Sequence, residues 1–400
     1  MLASPFPVAA DDWTEFRGPD GQGHSPARNV PVEWSSSRNV AWETDVEGKG
    51  WSSPVVAGDR VFLTSAIEKG GGLELFTQAF DRESGKPAWE TKVFEVGDAF
   101  KIHKKNSHAS PTPVFEDGRL YVHFGHDGTA CLDARTGEIV WKRDSLYRPV
   151  HGNGGSPLIL GDKLIFGCDG NADPFIVALN KANGDTIWKT PRDIEVKRPF
   201  SFTTPLAIEV DGKTQVISPA SGAVFSYDPE SGRELWRCRY GEGYSVVPRP
   251  VFANGLLYIC SGFNTAILFA IRPDGKGDVT DTHIAWQTQA QVPKESSPIA
   301  VDGLLFFNDD KGVTSCVDGK TGELHWQERL SPGSYSSSPV YAGGKLYFQS
   351  GAGVTTVIEP SKKFKKVAEN DMSEPILASL AVTDGALFLR TESKLYRIGK

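Results

Sequence analysis

Short apolar runs broken by polar turns repeat along nearly the whole chain, and their spacing is regular. The units open with a Ser or Thr before a Pro, save Arg249 before Pro250, as in SSPVVAGDRVFLT, where Pro54 and Val61 stand seven apart. The same offset recurs at Pro113/Leu120, Pro157/Leu164, Pro250/Leu257, Pro298/Leu305 and Pro339/Leu346. The copy at Pro205 has a longer turn, and the last copy carries Leu380 for the proline, with Leu387 seven later. Two short apolar runs around a tight turn predict a β-hairpin. A second element follows most copies: Asp or Asn, Gly four later, Trp eight later. It occurs at Asp81/Gly85/Trp89, Asp133/Gly137/Trp141, Asn180/Gly184/Trp188, Asp228/Gly232/Trp236 and Asp318/Gly322/Trp326. The acid or amide bonds its own following backbone and Gly supplies positive φ, so this too reads as a turn between strands.

Eight copies result, with Trp-to-Trp intervals of 47, 52, 47, 48, 50 and 40 residues from Trp42 to Trp326. Four strands per unit at that period predict an all-β, eight-bladed β-propeller of four-stranded blades. The last repeat is one strand short, and the extra Trp-bearing strand around Trp42 is expected to complete it and close the ring. Residues 39–400 then form the propeller, and residues 1–38 form an N-terminal arm. Trp13, Phe16 and Trp34 in that irregular arm predict that it is pinned against the ring. The in-register Trp residues are expected to pack between blades. Trp51 is out of register, on the segment that enters an innermost strand.

Composition changes this picture little. The 400 residues carry a formal net charge of −7 and no basic stripe, which argues against a nucleic-acid partner. No apolar run approaches the length of a membrane helix. The five Cys are widely spaced and are expected to be buried free thiols. The start, MLASPFPVAADDW, reads as the trimmed tail of an export signal, which predicts a periplasmic or secreted monomer.

The Asp-x3-Gly-x3-Trp element in this many copies resembles the repeat of pyrroloquinoline quinone (PQQ) propellers. It is equally similar to the propeller lipoprotein of the outer-membrane β-barrel assembly machinery. The opening DWTEFRGPDGQGHS resembles that of exported PQQ-like repeat proteins. These motifs are structural, so the resemblance implies the fold more strongly than any activity. For a quinoprotein dehydrogenase it implies PQQ held between a Trp and a disulfide of adjacent Cys, with Ca²⁺ and an Asp base. Of these the chain matches the blade motif and Trp51, and it has no adjacent Cys pair. For the assembly protein it implies an envelope partner, although no lipidation Cys stands near the N-terminus.

Candidate chemistry lies where chain crosses from one outer strand to the next inner strand. Three consecutive crossings are long: Trp89 to Pro113, Trp141 to Pro157 and Trp188 to Pro205. Long loops on a rigid scaffold commonly carry function. They bring His103, Lys105, Asn106 and His108, then His151 and Asn153, then Arg198 and Ser201. Opposite are expected Tyr244, Arg249, Lys294 beside Glu295, and Tyr335. With Trp51 these form the expected ligand site for a small polar or anionic ligand, or for an envelope protein. No metal site is expected: His123 and His126 point to different faces, and PDGKGDVTD, read as an exposed turn, misses the calcium-loop pattern. No catalytic residue is assigned. The expected function is non-catalytic binding at the channel mouth. The alternatives are a PQQ-dependent alcohol or sugar dehydrogenase and a carbohydrate-active enzyme.

Overall fold

The computed structural model describes residues 12–97, 99–144, 147–264 and 266–399. Residues 1–11, with the expected export-signal tail, lie outside the described residues. The sheets follow the repeats: blades 1 to 7 span 55–96, 114–143, 158–191, 206–239, 251–288, 299–329 and 340–371. Blade 8 is built from Ala381–Thr383, Ala386–Arg390 and Lys394–Gly399, with Val40–Asp45 paired antiparallel as its outer strand. First strands of consecutive blades touch at five of the eight junctions, including Ala381–Thr383 against Val55–Ala57, so these strands line a central channel.

Burial explains the composition of each strand. Second strands such as Leu256–Cys260 and Leu304–Asn308 are buried throughout, because neighbouring blades cover both faces. Outer strands alternate, as Val40–Asp45 does, because one edge meets water.

The Trp and Gly positions form one device that spans two blades. Trp42, Trp89, Trp141, Trp188, Trp286 and Trp326 each donate Nε1–H to a carbonyl in the turn of the next blade, at 2.8–3.1 Å. In five of the six the glycine of that turn lies flat against the indole, and Trp326 meets the Phe364 ring instead. A Cβ on Gly232 would sit 2.6 Å from the Trp188 ring, and its φ is +68°. Gly232→Ala is therefore expected to lose about 2–4 kcal/mol from left-handed backbone and overpacking together. Gly255, at φ +75° with nothing within 4 Å, isolates the backbone part. Gly255→Ala is expected to cost only about 1–2 kcal/mol by urea denaturation.

Trp236 departs from the pattern, because the next blade lacks the turn. Its Nε1 donates to Gln215 within its own blade, at 2.8 Å. The segment read as an exposed turn covers it instead. Gly277–Asp278 adds a parallel fifth strand opposite Trp236 and Arg237, and Val279 beyond it is buried. Asp274, Lys276, Gly277 and Asp278 are exposed, as read, and the correction is confined to Val279, an apolar residue after the Asp/Gly run that packs on the blade.

The Ser or Thr before each proline closes the inner ring. Ser53 N–H donates to Thr112 Oγ1, Thr112 to Ser156 Oγ, and Ser156 to Thr204 Oγ1, at 2.9–3.0 Å. Ser297, Ser338 and Ser379 continue the chain, and Ser379 N–H returns to Ser53 Oγ at 3.1 Å. Arg249 holds the eighth position without a hydroxyl. Its Nε donates to Pro205 O at 3.1 Å and bridges the same junction.

From Arg249 the guanidinium reaches the arm: Nη1 donates to Phe16 O at 2.6 Å, and Nη2 lies 3.4 Å from Glu15 Oε2. The arm crosses the ring along the inner strands. Trp13 bridges to Val56, Thr14 O accepts from Phe115 N, and Arg17 Nη2 donates to Pro298 O at 2.8 Å. Gln22 Oε1 then accepts from Phe252 N, Ser25 N donates to Tyr341 O, and Trp34 N donates to Asn370 Oδ1. Gly21, at φ +66°, is needed here, because a Cβ would meet the Arg249 guanidinium at 2.4 Å. Burial, with Arg249 beside it, pushes the Arg17 guanidinium down to about 9.

Candidate functional site

All eight blade-to-blade crossings contribute to one cavity of about 460 Å³ at the channel mouth. Trp51 enters from the first crossing and Leu377 from the last. Between them come Lys105, His151, Phe200, Tyr244, Glu295 and Ser336, one from each remaining crossing. This convergence follows from the fold, since each crossing dives toward the channel before starting an inner strand.

One wall is a run of rings. His103 and His151 meet edge to face at 5.7 Å, His151 and Phe200 at 5.4 Å, and Phe200 and Tyr244 at 5.5 Å. Phe263 continues the run, 6.4 Å from Tyr244. The backbone fixes these rings. Asn106 Nδ2 donates to His151 O at 2.9 Å, and Ser245 N donates to Phe200 O at 2.9 Å. His151 (φ 65°) and Ser245 (φ 53°) hold left-handed conformations that non-glycine residues rarely adopt. Burial, and then the neighbouring His103, hold the His151 imidazole below the usual histidine range.

Across the mouth, Lys105 Nζ pairs with Glu295 Oε1 at 2.9 Å, and Ser336 Oγ donates to the other carboxylate oxygen. This contact joins the longest loop to a crossing 190 residues away. Lys105 is 46% exposed, so the pair contributes little to global stability. Lys105→Ala is expected to change unfolding free energy by less than about 1 kcal/mol. It is also expected to speed amide exchange locally around residues 103–107.

Of the residues singled out from sequence, Trp51, His103, Lys105, Asn106, His151 and Tyr244 line this cavity. Two border it: the Arg198 guanidinium lies 4.6 Å over the Tyr244 ring, and Lys294 Nζ lies 5.4 Å from the Phe263 ring. The others are placed elsewhere. Arg249 turns down to the arm. The Tyr335 hydroxyl donates to Ser331 O at 2.9 Å, and its ring packs on Gly312. Ser201 is buried and donates to Val246 O at 3.1 Å. Asn153 is buried beside Gly125. His108 faces a different cavity, of about 500 Å³, beside the Gly70–Gly72 hairpin. Burial holds its imidazole low against the opposing pull of Asp127. His126 Nε2 contacts Asp127 at 2.9 Å, while His123 is buried and pushed down to about 3. Sequence reasoning missed Phe200, Phe202 and Phe263. The first two lie in the long loop SFTTP segment and its preceding residue, where aromatics among polar residues were a usable signal. Phe263 lies between two strands of blade 5, and nothing local marks it.

The lining residues do not fit a calcium-held quinone. Among the described residues Glu295 is the one carboxylate on the cavity wall, and Lys105 and Ser336 engage it. Among the described residues no group of three or more His, Cys, Asp or Glu side chains converges as a metal cage. The five cysteines are free and buried in separate strands, none lining the cavity.

Comparison with known proteins places the chain among propellers of two kinds. A family described as outer membrane protein assembly factor BamB matches residues 74–285 and 275–363. The quinoprotein ethanol dehydrogenase of Pseudomonas aeruginosa is 29% identical over 175 residues, covering 40% of this chain and 26% of that protein. The chain thus matches about a quarter of that relative's length. Among solved structures, BamB from Moraxella catarrhalis superposes with a TM-score of 0.63 at 15% identity, over 90% of this chain and 96% of that one. The quinohemoprotein alcohol dehydrogenase from Comamonas testosteroni superposes at 0.66 with 12% identity, over 98% and 81%. At these identities the superpositions speak to the fold alone.

Proposed function

Because the chain belongs to the family described as outer membrane protein assembly factor BamB, we propose that it is a binding propeller of the cell envelope, not a catalyst. The ring is the rigid scaffold and the channel mouth is the binding site, for a ligand or for a segment of an envelope protein. The observation that carries this reading is the run of fixed rings from His103 to Phe263. It faces a concave space, and among the described lining residues the single carboxylate, Glu295, is engaged by Lys105 and Ser336. Apolar walls with a few convergent polar groups are the usual make-up of a ligand pocket. The arm supports the same reading, since it closes inner-strand edges away from the mouth and leaves the mouth as the accessible end.

The test is a thermal-shift screen of a metabolite library, run on the native chain and on Trp51→Ala and His151→Ala. Compounds that raise the melting temperature of the native chain and not of the variants support the reading. A library without such compounds overturns the small-ligand form of the reading. The quinone alternative, which the dehydrogenase relatives favour, is checked by calorimetric titration with PQQ, with and without Ca²⁺. Tight Ca²⁺-dependent one-to-one binding would replace the present reading.

A further inference from the structure

A second cavity of about 410 Å³ adjoins the channel mouth, and Tyr244 forms a wall of both. The tyrosine is a ridge held from each side. Phe200 meets its edge at 5.5 Å, Arg198 covers it at 4.6 Å, and its carbonyl accepts from Phe263 N at 2.8 Å. Left-handed non-glycine backbone recurs beyond it, at Asn264 (φ 76°) on the second cavity. Such conformations persist only where the surroundings over-determine them, and they cluster at ligand clamps. The trough is therefore preorganised over its length, which lowers the ordering cost of binding an extended ligand.

Charge narrows the ligand class. In the inner cavity Lys105 and Glu295 neutralise each other, and Lys294 on its border has the Asp310 carboxyl within electrostatic reach. In the outer one, exposed Lys197 and Arg198 are matched in number by exposed Glu195 and Glu242, and Arg239 is engaged by Asp278 at 2.7 Å. A polyanion would meet both carboxylates and a polycation both cations, so neither gains from the whole trough. An uncharged polyhydroxylated chain uses both signs as hydrogen-bond partners, and aromatic rings suit the apolar faces of sugars.

We infer that the ligand is an uncharged oligosaccharide, laid from the channel mouth over Tyr244 into the second cavity. This rests on the mouth being a binding site. The experiment is calorimetry with cellohexaose, maltohexaose and xylohexaose and with the matching disaccharides. One hexasaccharide is expected to bind about tenfold or more tighter than its disaccharide, which is about 1.4 kcal/mol. Tyr244→Ala and Arg198→Ala are expected to bring that hexasaccharide down to the affinity of the disaccharide. Arg198 is exposed, so its variant keeps the test open if Tyr244→Ala fails to fold. Equal affinity for both lengths would overturn the extension over Tyr244 and leave the mouth site standing. Absence of binding by every saccharide, with Trp51-dependent hits in the metabolite screen, would overturn the sugar class alone. Absence of both would overturn the mouth as a small-molecule site, and the sugar inference with it.

Discussion

Arg192→Ala is expected to destabilise the protein by about 3–5 kcal/mol, because it strands a buried carboxylate. The Arg192 side chain is fully buried and holds Asp169 in a two-point contact, Nε to Oδ1 at 3.0 Å and Nη2 to Oδ2 at 3.1 Å. Nη2 also donates to Ser218 Oγ at 2.7 Å and Nη1 to the Tyr227 hydroxyl at 3.0 Å, so the group ties blade 3 to blade 4. Burial pushes the Asp169 carboxyl up, and Arg192 opposes that push. Without the arginine the carboxyl rises further. A carboxyl whose folded pKa lies above its unfolded value of about 3.9 costs stability above the folded pKa, and this cost fades as pH falls through it. The deficit of the variant is therefore largest at neutral pH and shrinks toward acid. Urea denaturation of both proteins from about pH 5 to 8 measures this, and a pH-independent deficit would sink the argument. Replacing the pair together, Arg192→Met with Asp169→Leu, is expected to recover much of the loss. The same pair underlies the loop that carries Phe200, since Asp169 O accepts from Ser201 N. The single variant should weaken ligand binding as well.

Arg249→Ala carries an expected cost of about 3 kcal/mol or more for a related reason. It removes the bonds to Phe16 O and Pro205 O and leaves Glu15 buried without its cation. Burial already raises the Glu15 carboxyl, with Arg249 opposing it, so this deficit too should shrink in acid. The distinguishing readout is local. Limited proteolysis should cut the variant within residues 12–25 while the blades stay intact, since the arm loses its central tie. Cutting spread evenly over the blades would show instead that Arg249 acts only through the ring.

The fold was legible because its determinants are local. A turn needs an Asp or Asn and a positive-φ glycine within five residues, and a buried hairpin needs two apolar runs around it. The hairpin was visible eight times and the turn five times, and the sheets follow them. The crossing loops were legible as a location for the same reason, since their lengths are counted directly from one Trp to the next Pro.

What the loops do with their side chains was not legible. Arg249 and Tyr244 both stand in the fourth-to-fifth crossing, five residues apart, and nothing local separates them. The structure sends Tyr244 up to the ridge between two cavities and Arg249 down to the arm. Lys105 meets Glu295 across the mouth of the ring, and Trp188 meets Gly232 where two neighbouring blades pack. Alternation, turn chemistry and repeat length determined the blades, since each is a preference of a few consecutive residues. The tertiary structure alone decided which polar groups face the mouth, which are buried against the arm and which neutralise each other. Those outcomes depend on contacts between residues tens to hundreds of positions apart, which no local pattern encodes.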